Sequence, residues 1–313
     1  MSVAVQLLFL VVGFVMLVKG ADWFVEGASK VAEKFGIPQL VIGLTIVAMG
    51  TSLPEAAVST SAALKGSAEI TIGNVVGSNI MNVLLILGLT SVISPLAVQK
   101  STVRYEVPMV IGASALLAGM GLTDGWVGRT DGVILLAGMV LYLLYLLRMS
   151  KKGQAVIEEG EQADKNDSLF KLVLLILIGG VMIVLGSDIT VDAATALARI
   201  FGMSERLIGL TIVAFGTSLP ELVTSVTAAI KGKADIAVGN IVGSNIFNIF
   251  FVVGVSAVIT PVIYAPNFLV DSIVGIVTGC LLWLLVVRKN KLQRHGGVIM
   301  LLCYVGYFIY LMR

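Results

Sequence analysis

Ten apolar stretches, each long enough to cross a lipid bilayer, constrain this chain more than any other feature of its sequence. A spanning helix needs about 20 mostly apolar residues. The stretches lie near residues 3–18, 39–63, 70–95, 106–122, 131–147, 169–187, 205–229, 236–261, 268–287 and 297–312. Of the 313 residues, 58% are hydrophobic and only 13% are charged, which excludes an ordinary soluble enzyme, a nucleic-acid binder and a disordered protein. We therefore expect an all-α polytopic membrane protein with ten transmembrane helices, in contact with lipid and not with nucleic acid.

The two halves of the chain are copies of each other. A shift of 166 positions aligns residues 21–95 with 187–261 without a gap, and 38 of these 75 positions are identical. Residues 42–55 match 208–221 at 13 of 14 positions, and the block GNVVGSNIMN at 73–82 returns as GNIVGSNIFN at 239–248. Such agreement indicates an internal duplication. The predicted organisation is a first repeat at 1–149, a hydrophilic linker at 150–168 and a second repeat at 169–313.

The number of spans in each repeat predicts how the repeats face the membrane. Five is odd, so the second copy must enter the bilayer from the opposite side, as in the inverted repeats of many secondary transporters. When each of the 21 lysines and arginines is assigned to the nearest span end, 16 fall on one side and 5 on the other. By the positive-inside rule the richer side is cytoplasmic. We expect both termini to be extracellular or periplasmic, the linker to be cytoplasmic, and the apolar N-terminus to remain as the first span.

Two glutamates occupy positions where a charge is costly. Glu55 and Glu221 lie inside long apolar segments, at equivalent places in the two repeats. A carboxylate near the bilayer centre costs at least about 2.5–3.5 kcal/mol, and no lysine, arginine or histidine lies at similar depth in either segment. A bound cation or a proton would compensate the charge. The alternative is a neutral glutamate pair with a purely structural role.

The residues before each glutamate predict broken helices. Both glutamates end the motif GTSLPE, in which Pro54 and Pro220 leave the carbonyls of Gly50 and Gly216 without a helical N–H partner. We expect the distortion to free nearby carbonyls as well. The resulting set holds only oxygen, which suits sodium and calcium better than zinc, copper or iron. Its candidate members are Ala48, Thr51, Ser52 and Glu55 in the first repeat and Ala214, Thr217, Ser218 and Glu221 in the second.

The second duplicated block adds further polar side chains. Asn74, Ser78 and Asn82 are spaced four residues apart and share one helix face. Asn240, Ser244 and Asn248 repeat this pattern in the second half. For each of them, hydrogen bonding between helices is the alternative to ion binding. Asn79 and Asn245 point away from this face, so we expect them to serve packing.

Charge arithmetic connects the site to exchange. Two ionised glutamates carry a charge of −2, which one calcium ion or two sodium ions neutralise. A site that can be neutralised in either way suits an antiporter, in which two ions compete for overlapping ligands. Inverted repeats supply the two near-equal states, open to opposite sides, that such exchange requires.

The paired blocks resemble the duplicated signature repeats of the sodium/calcium exchanger branch of the calcium/cation antiporter superfamily, in its short prokaryotic form. GTSLPE occurs twice, each time followed at the same distance by GN-x-x-GSN-x-x-N, and the resemblance covers nearly the whole chain. It implies a ten-helix bundle with four ion sites at mid-membrane and first and sixth helices that slide across this core. It also implies central calcium ligands at Glu55 and Glu221, and hydroxyl and carbonyl ligands at Thr51, Ser52, Thr217 and Ser218. Further implied ligands are sodium-binding carbonyls at Ala48 and Ala214 and polar positions at Ser78, Ser244, Asn82 and Asn248.

The resemblance implies electrogenic antiport of sodium for calcium across a bacterial or archaeal cell membrane, with no enzymatic activity. Na+ and Ca2+ are the transported ions; no cofactor and no protein partner is implied. Some relatives carry an aspartate where this chain has Asn248, and potassium-dependent members depend on such an acid. The asparagine in this chain therefore weakens a potassium-coupled interpretation. The short linker leaves no room for the calcium-sensing domains of animal exchangers.

Three other functions remain as alternatives from the residues alone. Carboxylates bind protons as well as sodium, so a proton-coupled calcium antiporter is the first. The many hydroxyls and carbonyls argue against it, since a proton needs no such cage. The second is a channel with an acidic selectivity filter. Such filters are usually built from a ring of subunits, whereas this chain carries an inverted pair of repeats. A membrane enzyme would need a nucleophile or cofactor motif that the sequence does not offer.

Overall fold

The structure, a computed structural model, describes residues 2–65, 68–153, 168–203, 214–266 and 268–312. Within these ranges the chain forms long helices joined by short turns. We number them α1 (Val3–Phe35), α2 (Gln39–Thr51), α3 (Leu53–Leu64), α4 (Ile70–Ile93), α5 (Thr102–Asp124), α6 (Arg129–Lys151), α7 (Leu169–Ile200), α8 (Leu219–Ile230), α9 (Ala234–Ile259), α10 (Phe268–Val286) and α11 (Arg294–Leu311).

The helices fit the predicted membrane class. Over the described ranges, eight helices are long and apolar enough to cross a bilayer, and α2 with α3 forms a ninth candidate span that is bent by 48°. The predicted span at 205–229 lies partly outside these ranges, as does most of the linker at 150–168. Two spans are longer than the sequence predicted, since α1 continues to Phe35 and α7 to Ile200. The extra turns carry polar residues such as Asp22 and Asp188, so they lie beyond the apolar stretches of the sequence.

The first helices of the two halves pack against each other along their whole length. The positions of their glycines show that α1 and α7 run in opposite directions: Gly13 lies against Gly186, Gly20 against Gly179, and Gly27 against Leu172. A Cβ at Gly20 would lie 2.9 Å from the carbonyl oxygen of Gly179, so only glycine permits this approach. Small residues at such crossings are typical of helix packing in membranes.

Both prolines stand where the sequence predicted a break. Ser52 (φ −85°, ψ 9°) leaves the helical conformation and separates α2 from α3. Ser218 (φ −91°, ψ 3°) precedes α8 in the same way, after a short helical segment at Ala214–Gly216. Each proline then lies in the first turn of the following helix, where a missing N–H is tolerated. The predicted broken helices are confirmed.

The centre of the molecule is formed by α4 and α9, the equivalent helices of the two halves. Every residue of α9 from Ile236 to Phe247 is buried. Both helices widen into a π-helical turn at equivalent positions, at Asn82–Leu87 and Asn248–Val253. Such turns are rare and occur frequently at functional sites, and here each begins at a candidate ligand.

Four two-residue strands join the halves at their ends. They are β1 (Leu96–Ala97), β2 (Trp126–Val127), β3 (Val262–Ile263) and β4 (Lys291–Leu292). β1 pairs with β4 and β2 with β3, in both cases antiparallel. A shift of 166 places β1 on β3 and places β2 within one residue of β4. The same shift therefore relates the β1–β4 pairing to the β3–β2 pairing. This reciprocal pairing is the signature of a pseudo-two-fold relation between the halves.

Candidate ion-binding site

A polar cluster lies where the two broken helices meet α4 and α9. We call it the central cluster; it comprises the residues predicted from the sequence, namely Ala48, Thr51, Ser52, Glu55, Ser78, Asn82, Ala214, Thr217, Ser218, Glu221, Ser244 and Asn248. Glu55, Glu221, Ser52, Ser218, Asn82 and Asn248 have no solvent exposure. Ser78 is buried on α4. For Ala214 the structure describes the backbone alone.

The two carboxyl groups are held across the pseudo-two-fold axis. The hydroxyl of Ser52 donates to Glu221 Oε1 at 2.8 Å, and the hydroxyl of Ser218 donates to Glu55 Oε1 at 3.3 Å. Each serine lies at the break in its own half, and its hydroxyl bonds to the acid of the other half. Thr217 also lies beside Glu55. The halves therefore build one shared site.

Asparagines fix the crossing of α4 and α9. Asn79 and Asn245 each donate an amide hydrogen to the other's backbone carbonyl, at 3.1 and 3.2 Å. Their own side-chain carbonyls accept hydrogen bonds from Asn82 and Asn248, at 3.0 Å (Asn82 to Asn245) and 3.1 Å (Asn248 to Asn79). The sequence assigned Asn79 and Asn245 to packing, and they do lie at the helix crossing. It missed that they also orient the two candidate ligands.

Four oxygen atoms of the central cluster have no hydrogen-bond donor. They are Oε2 of Glu55 and Glu221 and Oδ1 of Asn82 and Asn248, all buried. A buried acceptor without a partner costs about 1–3 kcal/mol and calls for an explanation. Over the described ranges no lysine, arginine or histidine makes an ion pair with either glutamate. A cation accounts for both the unpaired oxygens and the unbalanced charge.

A second pair of asparagines clamps each broken helix to its neighbour. Asn74 donates to the hydroxyl of Ser59 at 2.9 Å and to the backbone carbonyl of Glu55 at 3.2 Å. In the second half Asn240 bonds in the same way to the hydroxyl of Ser225 and to the carbonyl of Glu221. The sequence did not single out Ser59 or Ser225. The sequence could have pointed to them, because Ser59 and Ser225 are identical residues at equivalent positions under the shift of 166.

One expectation about the backbone is wrong. The carbonyl of Ala48 is not released by the break, because the N–H of Ser52 donates to it at 3.1 Å. The hydroxyl of Ser244 donates to the same oxygen at 3.3 Å. The helix keeps this bond because the distortion begins only at Ser52, one turn further on. Ala48 still belongs to the cluster, but its carbonyl oxygen has three donors within reach, since the hydroxyl of Thr51 also lies 3.3 Å from it.

The chemistry of the cluster is that of a hard-cation site. Within the described part of the chain, no group of three or more histidine, cysteine, aspartate or glutamate residues forms a conventional metal centre. The cluster instead combines two carboxylates with neutral amide, hydroxyl and carbonyl oxygens. Sodium and calcium take such ligands readily. Two carboxylates limit the balanced load to one divalent or two monovalent ions.

Comparison with known proteins agrees with this chemistry. The sequence profile of the family described as sodium/calcium exchanger protein matches residues 5–148 and 171–313, which is one match to each half. The chain is 40% identical over 305 residues to the inner membrane protein YrbG of Escherichia coli, covering 93% of this chain and 92% of that protein. It is 30% identical over 346 residues to the sodium/calcium exchanger MaX1 of Methanosarcina acetivorans, covering 99% of each.

The fold has a match among solved structures. The sodium-calcium exchanger NCX_Mj, soaked with 10 mM Na+ and zero Ca2+, superposes with a TM-score of 0.84 at 34% sequence identity. The superposition covers 97% of this chain and 98% of that one. The same exchanger was also soaked with 2.5 mM Na+ and 0.1 mM Ca2+, and that structure matches with a TM-score of 0.82.

Proposed function

This chain belongs to the sodium/calcium exchanger family, a family of membrane transporters and not of enzymes, and on that premise we propose that it exchanges sodium for calcium across the cell membrane by alternating access. The observation that carries the proposal is the set of four unpartnered buried oxygens in two repeat-related pairs. Two of these oxygens belong to carboxyl groups and two to amides. Protonation would neutralise a carboxyl group and give it one O–H donor, but it would add no donor to the two amides. Metal ions satisfy all four, which favours sodium over protons as the coupling ion.

We assign the ion ligands to the central cluster. Glu55 and Glu221 bind calcium, with hydroxyls and carbonyls of Thr51, Ser52, Thr217 and Ser218 around them. The carbonyls of Ala48 and Ala214 and the polar side chains of Ser78, Ser244, Asn82 and Asn248 complete the sodium sites. We further propose that more than two sodium ions replace one calcium ion, the additional sodium being held by neutral oxygens, so that the exchange moves net charge.

The proposed architecture is ten membrane helices in two inverted repeats, at 1–149 and 169–313. The opposite directions of α1 and α7 support inversion, since these are equivalent helices. The tenth span would combine α8 with the residues before it. Both termini lie outside the cell, and the linker at 150–168 is cytoplasmic.

Transport in liposomes tests the proposed function. The purified protein is reconstituted into sodium-loaded vesicles, which are diluted into sodium-free buffer with labelled calcium. We expect calcium uptake that requires internal sodium and collapses with a sodium ionophore. Glu55→Gln and Glu221→Gln each keep the side-chain volume but remove a charge, so each should reduce uptake to background.

Glu106→Gln is the matched control for these two variants. Glu106 is fully buried in α5 and receives a hydrogen bond from Tyr145, but it lies outside the central cluster. We expect this variant to retain sodium-driven uptake. Uptake that ignores sodium and follows an imposed pH gradient would transfer the assignment to proton/calcium exchange. Absence of calcium flux under both gradients would refute calcium antiport altogether.

Labelling from one side of the membrane tests the proposed topology. In a variant with Cys280→Ser and Cys303→Ser, single cysteines are introduced by Ser2→Cys and Lys151→Cys. An impermeant thiol reagent applied to intact cells should label the first and not the second. Labelling at position 151 from outside would show that the orientation is reversed.

A further inference from the structure

The peripheral helix pair α1–α7 is joined to the two halves unequally. On α7 the buried hydroxyl of Ser187 donates a hydrogen bond of 2.8 Å to the carbonyl of Gly216. This is the carbonyl that Pro220 deprives of its helical N–H partner. Ser187 therefore satisfies a backbone group that the break in the second half leaves open. The bond is also a polar link between the peripheral pair and a broken helix of the site.

Within the described residues, the first half has no hydrogen bond at the equivalent place, although Gln39 of α2 donates to Ser29 and Glu33 of α1, at 3.3 and 3.4 Å. A shift of 166 relates Ser187 to Ala21 on α1 and Gly216 to Gly50. Ala21 is buried but has no hydroxyl to donate. At this place the ring of Phe24 packs against Gly50, so closely that a Cβ there would approach Phe24 Cζ to 3.0 Å. At Gly50 the helix pair thus makes an apolar contact through Phe24, whereas at the equivalent Gly216 it makes a hydrogen bond through Ser187.

Ion pairs show the same imbalance. Asp22 of α1 pairs with Lys231, directly after α8, at 2.6 Å. The counterparts of this pair are Asp188 and Lys65, both within the described ranges, and they form no ion pair there. Exposed ion pairs stabilise little by themselves. Together with Ser187, however, this one shows the peripheral pair docked on the second half.

We propose that Ser187 is a one-sided latch, which holds the peripheral pair on the second half and so makes the two access states unequal in energy. This inference rests on the proposed alternating access. In a perfect inverted repeat the two states would mirror each other, and the docking contacts of one half would reappear in the other. Ser187 breaks this symmetry in the state that the structure shows, in which Asp22 of the pair also contacts Lys231. It is a positioning residue and not an ion ligand.

The size of the effect follows from one hydrogen bond. A buried bond of this kind changes an equilibrium by about two- to tenfold. The apparent affinity for an ion at one face depends on the fraction of molecules open to that face. The ratio of the half-saturating calcium concentrations at the two faces should therefore change by the same factor. The intrinsic affinity of the central cluster should stay constant.

Two opposite substitutions test the latch. Ser187→Ala removes the bond, and Ala21→Ser supplies the mirror-image donor to Gly50. In sodium/calcium exchange by vesicles of known orientation, we expect both variants to shift the ratio of half-saturation constants in the same direction. The double variant should show the product of the two shifts, and Ser187→Thr, which keeps the hydroxyl, should resemble the wild type. A packing defect cannot produce this pattern, because one change deletes a hydroxyl and the other adds one.

A measurement without transport separates the latch from the proposed function. Spin labels on exposed positions of α7 and α11, at Val181 and Val298, report the distance between the peripheral pair and the core in a variant lacking the native cysteines. We expect two distance populations whose ratio shifts with Ser187→Ala. Normal wild-type exchange with unchanged ratios in all variants would overturn the latch while leaving the function intact. Shifted distances without any calcium flux would retain the latch and overturn the function.

Discussion

At the scale of single residues, the site depends on how four asparagine amides share their hydrogen bonds. The amide nitrogens of Asn82 and Asn248 donate to Asn245 and Asn79, which turns their side-chain oxygens away from these donors and leaves them free. An amide has a donor end and an acceptor end, so fixing one end fixes the other. Asn79 and Asn245 thus decide which atoms of their neighbours face the ions.

Removing either of these two asparagines should therefore affect stability and ion binding together. Asn79→Ala and Asn245→Ala each leave a buried amide donor unpaired and remove one of the hydrogen bonds to a backbone carbonyl of the crossing helix. We expect the free energy of unfolding to fall by about 1–3 kcal/mol, and the half-saturating calcium concentration to rise. Thermal unfolding in detergent and calcium uptake in vesicles measure the two effects. Because the bonds are reciprocal, a large loss in one variant and none in the other would contradict this account.

At the scale of helices, the α1–α7 contact is set by glycines that let two backbones meet. A Cβ at Gly179 would lie 2.7 Å from the carbonyl oxygen of Gly20, and backbone atoms cannot yield as a flexible side chain can. Close backbone approach gives this pair its packing in a lipid environment, where the hydrophobic effect between helices is absent. The pair can then act as one unit against the central helices.

Gly179→Ala should separate the pair, and Gly119→Ala provides the matched control. Overpacking a close contact costs about 1–3 kcal/mol, so we expect a lower melting temperature for Gly179→Ala. Gly119 lies on the exposed side of α5 with no atom within 4 Å of an added Cβ, and its variant should melt at or above the wild-type temperature. Equal melting temperatures for both variants would show that the approach at Gly179 is unimportant.

At the scale of the whole molecule, the number of sodium ions that replace one calcium ion decides the electrical behaviour of transport. The central cluster carries a charge of at most −2, which a single calcium ion neutralises. If several sodium ions leave as one calcium ion enters, positive charge leaves the vesicle in each cycle. The membrane potential then acts on the exchange with about 2.3 kcal/mol per elementary charge per 100 mV.

The exchange should therefore respond to voltage with a defined sign. In sodium-loaded vesicles, an inside-positive potassium diffusion potential set with valinomycin should accelerate calcium uptake, and an inside-negative one should slow it. The Glu106→Gln variant should respond as the wild type does. Uptake rates that are independent of the potential would show that the exchange is electroneutral, with two sodium ions for each calcium ion.

Much of this molecule was predictable because the relevant signals are local in the chain. Hydropathy alone gave the membrane class, since the bilayer imposes one length and one polarity on every span. The prolines predicted the broken helices at Ser52 and Ser218, because a missing N–H acts within one turn. Glu55 and Glu221 stood out since a carboxylate in an apolar segment is costly wherever the helix packs. The duplication extended each of these inferences to the other half.

What the tertiary structure alone decided lies between the halves. The hydrogen bond from Ser52 to Glu221 joins residues 169 positions apart. The bond from Ser187 to Gly216 has no counterpart at the equivalent positions of the first half, Ala21 and Gly50, although a repeat alignment treats the two halves as symmetric. Helix-face arithmetic placed Asn79 and Asn245 outside the site, because it counts turns along one helix and not what crosses it. The sequence by itself thus determined which residues a membrane could not tolerate without a partner. Only packing decided the partners, because they depend on how helices distant in sequence rotate and approach in space.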